Sequence, residues 1–212
     1  MKAAPRGGAA SSTILFIFRS DGRLLAFSEN KMKRQMCIRD SIVILAAGMG
    51  KRMHSRLPKV LQPIAGRPMI DHVLDASEGL SASPRVVVVG HAAENVMEHL
   101  ADRSDVTFAL QSPQLGTGHA LRQALGQLDR NEPKTLVCLG DVPLLSRRTL
   151  EAIAREAETS DLVLLTVELD NPTGYGRILR NPAGFVRAIV EEKDASPEER
   201  RVREVNTGIM CL

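Results

Sequence analysis

Apolar residues in this chain gather into short unbroken runs, and between the runs they recur at helical spacing. The runs are Ile42–Ala46 (IVILA), Arg85–Gly90 (RVVVVG), Val106–Leu110 (VTFAL), Thr135–Gly140 (TLVCLG) and Asp161–Leu169 (DLVLLTVEL). Side chains of a strand alternate between the two faces of its sheet. A run without polar alternation therefore predicts a strand covered on both sides. Over Met69–Ser77, residues Met69, Ile70, Val73, Leu74 and Ser77 fall on one helical stripe, and Ala93, Val96, Met97 and Leu100 fall on the next. A further helix is expected through His119–Leu128, and another with Ser146 as its cap. This β-α-β-α rhythm predicts an α/β fold, a mostly parallel sheet with helices on both faces. Ligands of such sheets bind beyond the carboxyl ends of the strands, so polar residues at those ends are the first place to look for chemistry.

The chain changes character near Ser41. Upstream lie two β-like runs, TILFIF and LLAF, around Ser-Asp-Gly, a sequence suited to a hairpin turn because Asp-Gly tolerates positive φ. They are followed by the basic stretch KMKRQ and the hexapeptide MCIRDS (Met36–Ser41), which resembles translated sequencing-adapter read-through. Residues 1–41 therefore read as a leader, artefactual or poorly ordered, ahead of a domain over 42–212. An unbroken genomic frame encoding the same leader would overturn the artefactual reading.

Charge supports that division. The chain carries a formal +3, but residues 1–40 hold eight Lys/Arg against three Asp/Glu, leaving 20 basic and 22 acidic residues in the rest. A body of that balance gives no reason to expect nucleic acid as a partner. Apolar residues are 43% of the chain, an ordinary globular share. No run approaches a membrane span, and Thr13–Phe18 lacks a signal-peptide cleavage pattern. Cys37, Cys138 and Cys211 have no metal-type spacing and read as reduced thiols of a cytoplasmic protein, Cys138 buried within its apolar run. The histidines, at 54, 72, 91, 99 and 119, form no catalytic pattern and read as ordinary surface or helix residues.

The first domain strand runs directly into Leu45-Ala46-Ala47-Gly48-Met49-Gly50-Lys51-Arg52. Gly48 and Gly50 let backbone N–H groups approach a triphosphate closely. Arg52 and Lys59 supply positive charge suited to a departing pyrophosphate, and Pro58 restrains the chain just before Lys59. A dinucleotide fingerprint is excluded because Met53 stands where its third glycine belongs. A P-loop is excluded because Arg52 follows Lys51 and Leu45 stands at its first glycine. Gln111 and Gln114 precede Gly116-Thr117, and a Gln amide offers both a donor and an acceptor to a base edge. Thr117 also suits a helix cap. Asp141 closes the fourth strand as a hard oxygen ligand suited to Mg²⁺ between phosphates, or as a solvated acid at a loop start.

The strings LAAGMGKRMHSRLPKVL, QLGTGHA, GDVPLL, NPTGYGRI, VEEKDA and EVNTG follow one another in order across residues 42–212. Together they resemble the uridyltransferase domain of the bacterial bifunctional N-acetylglucosamine-1-phosphate uridyltransferases/glucosamine-1-phosphate acetyltransferases. The resemblance implies a Rossmann-like nucleotide-diphospho-sugar transferase fold. It also implies formation of UDP-N-acetylglucosamine and pyrophosphate from UTP and N-acetylglucosamine 1-phosphate, a cytoplasmic step toward the cell wall. By that likeness Leu45, Ala46, Ala47 and Gly48 cradle the nucleotide, and Arg52 and Lys59 are catalytic. Gln111, Gly116 and Thr117 hold uracil, Gly140 and Asp141 bind substrate, and Asp141 holds Mg²⁺. Gly176, Glu191 and Asn206 surround the sugar phosphate. Without the family register, Glu191 would read as part of a solvated acidic face. Leu139 departs from the pattern, since many members carry Tyr there. Family members continue to an Asn metal ligand and a β-helix domain that makes them homotrimers, so this chain reads as truncated after Leu212 and impaired in turnover. Two alternatives share much of the pattern: another sugar-1-phosphate nucleotidyltransferase, and a non-catalytic nucleotide-binding module.

Overall fold

The structure is a computed structural model, and it describes residues 15–19, 24–27, 41–50, 53, 55, 57–80, 85–128 and 134–212. The predicted runs become β3 (Ser41–Leu45), β6 (Arg85–Val89), β7 (Val106–Leu110), β8 (Thr135–Leu139) and β9 (Val163–Glu168). Between them stand α1 (Met69–Ala76), α2 (Ala93–His99), α3 (Thr117–Ala124) and α4 (Arg147–Ala157). A short pair, β4 (Pro63–Ile64) and β5 (Arg67–Pro68), makes its own small sheet. The later strands are β10 (Arg177–Arg180), β11 (Val186–Val190) and β12 (Glu204–Cys211). Upstream, β1 (Leu15–Arg19) and β2 (Leu24–Phe27) pair antiparallel as the hairpin expected of TILFIF and LLAF, and β1 docks antiparallel on β9.

The main sheet has the order β2-β1-β9-β12-β8-β3-β6-β7, with β10 attached to β12 and β11 to β10. Strands β7, β6, β3 and β8 are parallel neighbours, and β9 runs with them across the antiparallel β12. The expected mostly parallel α/β sheet is therefore present, with a mixed edge. Its core follows the strand alternation. Ile42 and Ile44 pack with α1, α2 and α4 on one face, together with Val87, Leu136 and Cys138. Val43 packs with Val86, Val88, Ala109 and the α3 residues Ala120 and Ala124 on the other. Ile42, Val43 and Ile44 are all fully buried, each contributing about 1.5–3 kcal/mol of transfer free energy.

Local chemistry accounts for the element ends. Ser146 caps α4 by accepting from Thr149 N–H at 3.2 Å. Arg85, buried at the start of β6, donates to Leu74 O at 2.7 Å, pairs with Asp105, and so satisfies a carbonyl near the end of α1. Two expectations need correction. Met97 is 41% exposed, because α2 is a single short helix that buries only Val96 along its length. Helix α3 begins at Thr117 rather than His119 and ends at Ala124. Gly116, at φ 98°, occupies its cap position, and Thr117 makes no capping hydrogen bond. Among the described residues no helix is long and apolar enough to cross a membrane.

Candidate nucleotide site

The carboxyl ends of β3, β7 and β8 converge on one cavity of about 480 Å³. Its floor is the chain leaving β3. Ala46 N–H donates to Val88 O at 2.8 Å and Gly140 N–H donates to Leu45 O at 3.0 Å, so the loop is tied to both neighbouring strands. Of the predicted residues, Leu45, Ala46, Ala47, Gly48, Gly50, Lys59, Gln111, Gly116, Thr117 and Asp141 line the cavity. Gly140 does not line it. It lies beneath, where a β-carbon would meet Val60 Cγ1 at 3.2 Å and Leu45 O at 3.3 Å. Arg52 lies outside the described residues.

The two loop glycines have different jobs. Around Gly48, its chain neighbours aside, no heavy atom of the described residues lies within 4 Å of where a β-carbon would sit, so that space is open to a ligand. Gly50 has φ +56°, and a β-carbon there would stand 2.8 Å from Lys59 Cβ. Gly50 thus leaves room for Lys59 to pack against the loop, and it also lines the cavity, where the sequence placed it for phosphate approach. Lys59 itself starts a single 3-10 turn, Lys59–Leu61, anchored by the buried Val60 and Leu61.

At the cavity wall Lys59 Nζ is ion-paired with the Asp141 carboxylate, across 82 residues of chain. Both side chains stay partly exposed, at 41% and 25%, so the pair holds geometry more than stability. Among the described residues no group of three His, Cys, Asp or Glu side chains is disposed to hold a metal ion. One carboxylate is nevertheless the donor set Mg²⁺ accepts when phosphates and water complete its shell. Asp141, already facing a cation beside the open Gly48 cradle, fits that use.

Gln111 follows β7 and is 4% exposed. Its Nε2 donates to Gly116 O at 3.0 Å and meets His119 Nδ1 at 3.1 Å. On the other side of that ring, His119 Nε2 meets the Gln123 side-chain amide at 3.1 Å. His119 is thus tied to the wall of the cavity, where the sequence suggested an ordinary helix residue. Met49, Val60, Gln114, Ala120 and Leu139 also line the cavity without having been assigned a role in it. Of these, Gln114 carried a signal in the sequence, in the QLGTG string, while the apolar ones carried none.

Gly176, Glu191 and Asn206 come together but do not line this cavity. Asn206 N–H donates to Gly176 O at 2.8 Å, and a β-carbon at Gly176 would touch Glu191 Oε1 at 3.3 Å. The neighbouring Glu192 is committed elsewhere. It accepts from Arg177 Nη2 at 2.6 Å and from Gly174 N–H at 3.3 Å. The Arg177 hydrogen bond, outweighing desolvation, holds the Glu192 carboxyl below its ordinary range. Glu191 is left as the exposed carboxylate beside Gly176. Strand β12 joins this cluster to the cavity: between Asn206 and Met210 its register against β9 shifts. Gly208, at φ +79°, donates its N–H to Asn206 Oδ1 at 3.0 Å, and a β-carbon there would stand 3.0 Å from Leu139 Cδ1.

Comparison with known proteins agrees with this geometry. The family described as the MobA-like NTP transferase domain matches residues 42–206. "Bifunctional protein GlmU" of Cupriavidus pinatubonensis is 60% identical over 170 residues, covering 80% of this chain and 37% of that protein. The protein of the same name from Azoarcus sp. strain BH72 is 62% identical over 169 residues, with the same coverage. The chain therefore spans little more than a third of the length of these curated relatives. Among solved structures, HddC from Yersinia pseudotuberculosis superposes with a TM-score of 0.60 at 23% identity, covering 82% of this chain and 76% of that one. A candidate glucose-1-phosphate thymidylyltransferase from Bacillus anthracis superposes with a TM-score of 0.63 at 19% identity, covering 81% and 70%. Those two likenesses are of fold. With the family match running over 42–206, from β3 through Asn206 in β12, the chain belongs to the MobA-like NTP transferase domain family.

Proposed function

We propose that this domain transfers uridylyl from UTP to N-acetylglucosamine 1-phosphate, releasing pyrophosphate and forming UDP-N-acetylglucosamine. The observation that carries the reading is the Lys59–Asp141 pair at the wall of a cavity whose floor is the open Gly48 cradle. Relatedness to the GlmU proteins at about 60% identity supports the choice of sugar and base.

A phosphate oxygen of the sugar phosphate attacks the α-phosphorus of UTP in line, and the bond from that phosphorus to the bridging oxygen of pyrophosphate breaks. The nucleophile is already an anion, so the residues need not remove a proton; their task is positioning and charge neutralisation. The amides around Gly48 receive phosphate oxygens, and Lys59 is the cation that faces the charge gathering on pyrophosphate. Asp141 would hold Mg²⁺, which when bound supplies further neutralisation of the triphosphate. Gln111 with the Gly116-Thr117 backbone reads the base. Gly176, Glu191 and Asn206 receive the sugar, the carboxylate and amide accepting and donating to its hydroxyls.

Pyrophosphate release decides the matter, measured in MgCl₂ with UTP, CTP, dTTP, ATP or GTP against N-acetylglucosamine, glucosamine or glucose 1-phosphate. The UTP and N-acetylglucosamine 1-phosphate pair should turn over fastest. A faster pair of another kind would replace the assigned substrates, and UTP binding without turnover by any sugar would mark a binding module.

A further inference from the structure

The amide of Gln111 is oriented by its neighbours. Its Nε2 lies 3.0 Å from the Gly116 carbonyl and 3.1 Å from His119 Nδ1. A carbonyl only accepts, so the atom facing it must be the nitrogen, and the amide orientation is chemically assigned. A primary amide nitrogen has two N–H groups, so both are engaged if His119 Nδ1 is an acceptor. Among the described residues Oε1 makes no hydrogen bond. It also keeps solvent contact, because Arg177 Nε is the sole unpartnered, solvent-sealed side-chain polar atom among the described residues. Since Gln111 lines the cavity, Oε1 is the atom it offers to a ligand.

We propose that His119 is a positioning residue for base selection: it accepts from Gln111 Nε2 and thereby presents Oε1 as a bare acceptor to the base edge. The proposal rests on the reading of the cavity as a UTP site and adds to it how the base is chosen. A single hydrogen bond to Gly116 O would let the amide plane swing about that bond; the second bond to His119 holds the plane. A fixed acceptor suits the imide N–H of uracil and opposes the ring nitrogen of cytosine, which carries a lone pair at the same place. For Nδ1 to accept, the neutral imidazole must carry its proton on Nε2. That N–H then needs an acceptor, and the Gln123 side-chain amide, 3.1 Å away, supplies its oxygen on flipping, at the cost of the long 3.4 Å hydrogen bond from its Nε2 to His119 O. Two links, Gln123 to His119 within α3 and His119 to Gln111 just after β7, thus run from the helix to the cavity.

Two measurements test this. Titration calorimetry of the 212-residue chain with UTP and with CTP, in MgCl₂, gives the preference between bases. His119→Ala should weaken UTP binding about tenfold while changing CTP binding little, so the preference falls about tenfold. His119→Asn, whose amide oxygen can occupy the place of Nδ1, should restore most of it. Equal weakening of both nucleotides would mean that His119 only steadies α3, and would overturn the proposal, as would an unchanged preference. A wild-type chain that binds UTP no better than CTP would remove the uridine reading itself and this proposal with it. Independently of any variant, the ¹⁵N shifts of His119 in the wild-type protein should report the Nε2–H tautomer near neutral pH. The Nδ1–H tautomer or an imidazolium would place a donor against the Gln111 nitrogen and overturn the assignment.

Discussion

Replacing Gly48 and Gly50 separately by Ala distinguishes a loop built for a ligand from a loop built for its own packing. At Gly50 the backbone is left-handed, φ +56°, which costs an L-residue roughly 1–2 kcal/mol. The new methyl would also begin 2.8 Å from Lys59 Cβ, with Lys59 Cα and Cγ both at 3.5 Å, so the 3-10 turn must move away. Such overpacking typically adds about 1–3 kcal/mol. Together these give about 2–5 kcal/mol. At about 2–4 °C per kcal/mol for a chain of this size, the melting temperature of Gly50→Ala should fall by about 4–20 °C. At Gly48, chain neighbours aside, no heavy atom of the described residues lies within 4 Å of the added methyl, and φ is not in the left-handed region. Gly48→Ala should therefore melt within about 0.5 kcal/mol of wild type. Its methyl, however, stands in the cavity, and UTP should bind at least about tenfold more weakly. Differential scanning fluorimetry gives the melts, and titration with UTP gives the affinities. A Gly50→Ala protein as stable as wild type would refute the packing argument. A Gly48→Ala protein that binds UTP normally would refute the phosphate cradle.

Other consequences can be checked as directly. Lys59→Ala and Asp141→Asn should each lower turnover of UTP with N-acetylglucosamine 1-phosphate by about a hundredfold or more, as loss of a transition-state charge partner does; near-normal kcat in either refutes its role. Cys138 is fully buried, and burial pushes its thiol up to about 12. Its folded-state value thus lies above the unfolded one, so the unfolded chain loses this proton first. Stability should decline as pH rises from about 9 toward 12, and Cys138→Ala, measured by denaturant melts across that range, should flatten the decline. In the native protein a thiol reagent at pH 8 should leave Cys138 unmodified until the chain unfolds.

Residue chemistry in linear order determined much of this protein. IVILA, RVVVVG, VTFAL and TLVCLG are strands because an unbroken apolar run has nowhere to go but the middle of a covered sheet, and Ile42, Val43 and Ile44 are fully buried as that requires. Ser146 could be read as a cap because capping is settled within one turn of chain. The glycine-rich string after β3 could be read as a cavity-lining loop for the same local reason, and Gly48 and Gly50 line the cavity. What depended on contacts between distant segments could not be read this way. Met97 fits a helical stripe, yet a helix as short as α2 touches the sheet along one line only, which Val96 fills. The place of β12 between β8 and β9 is set by pairing across the whole domain, and its register against β9 shifts between Asn206 and Met210, where Gly208 leaves room for Leu139. The two glutamates Glu191 and Glu192 are chemically alike in sequence; Arg177, brought alongside by β10, occupies one and leaves the other. Nor does any spacing in the chain show that Lys59 meets Asp141, or that His119 turns the amide of Gln111. Local propensity and burial set which segments are strands, helices and loops. Which side chains share a cavity, and which atoms they present to it, was decided only when the sheet order brought those segments side by side.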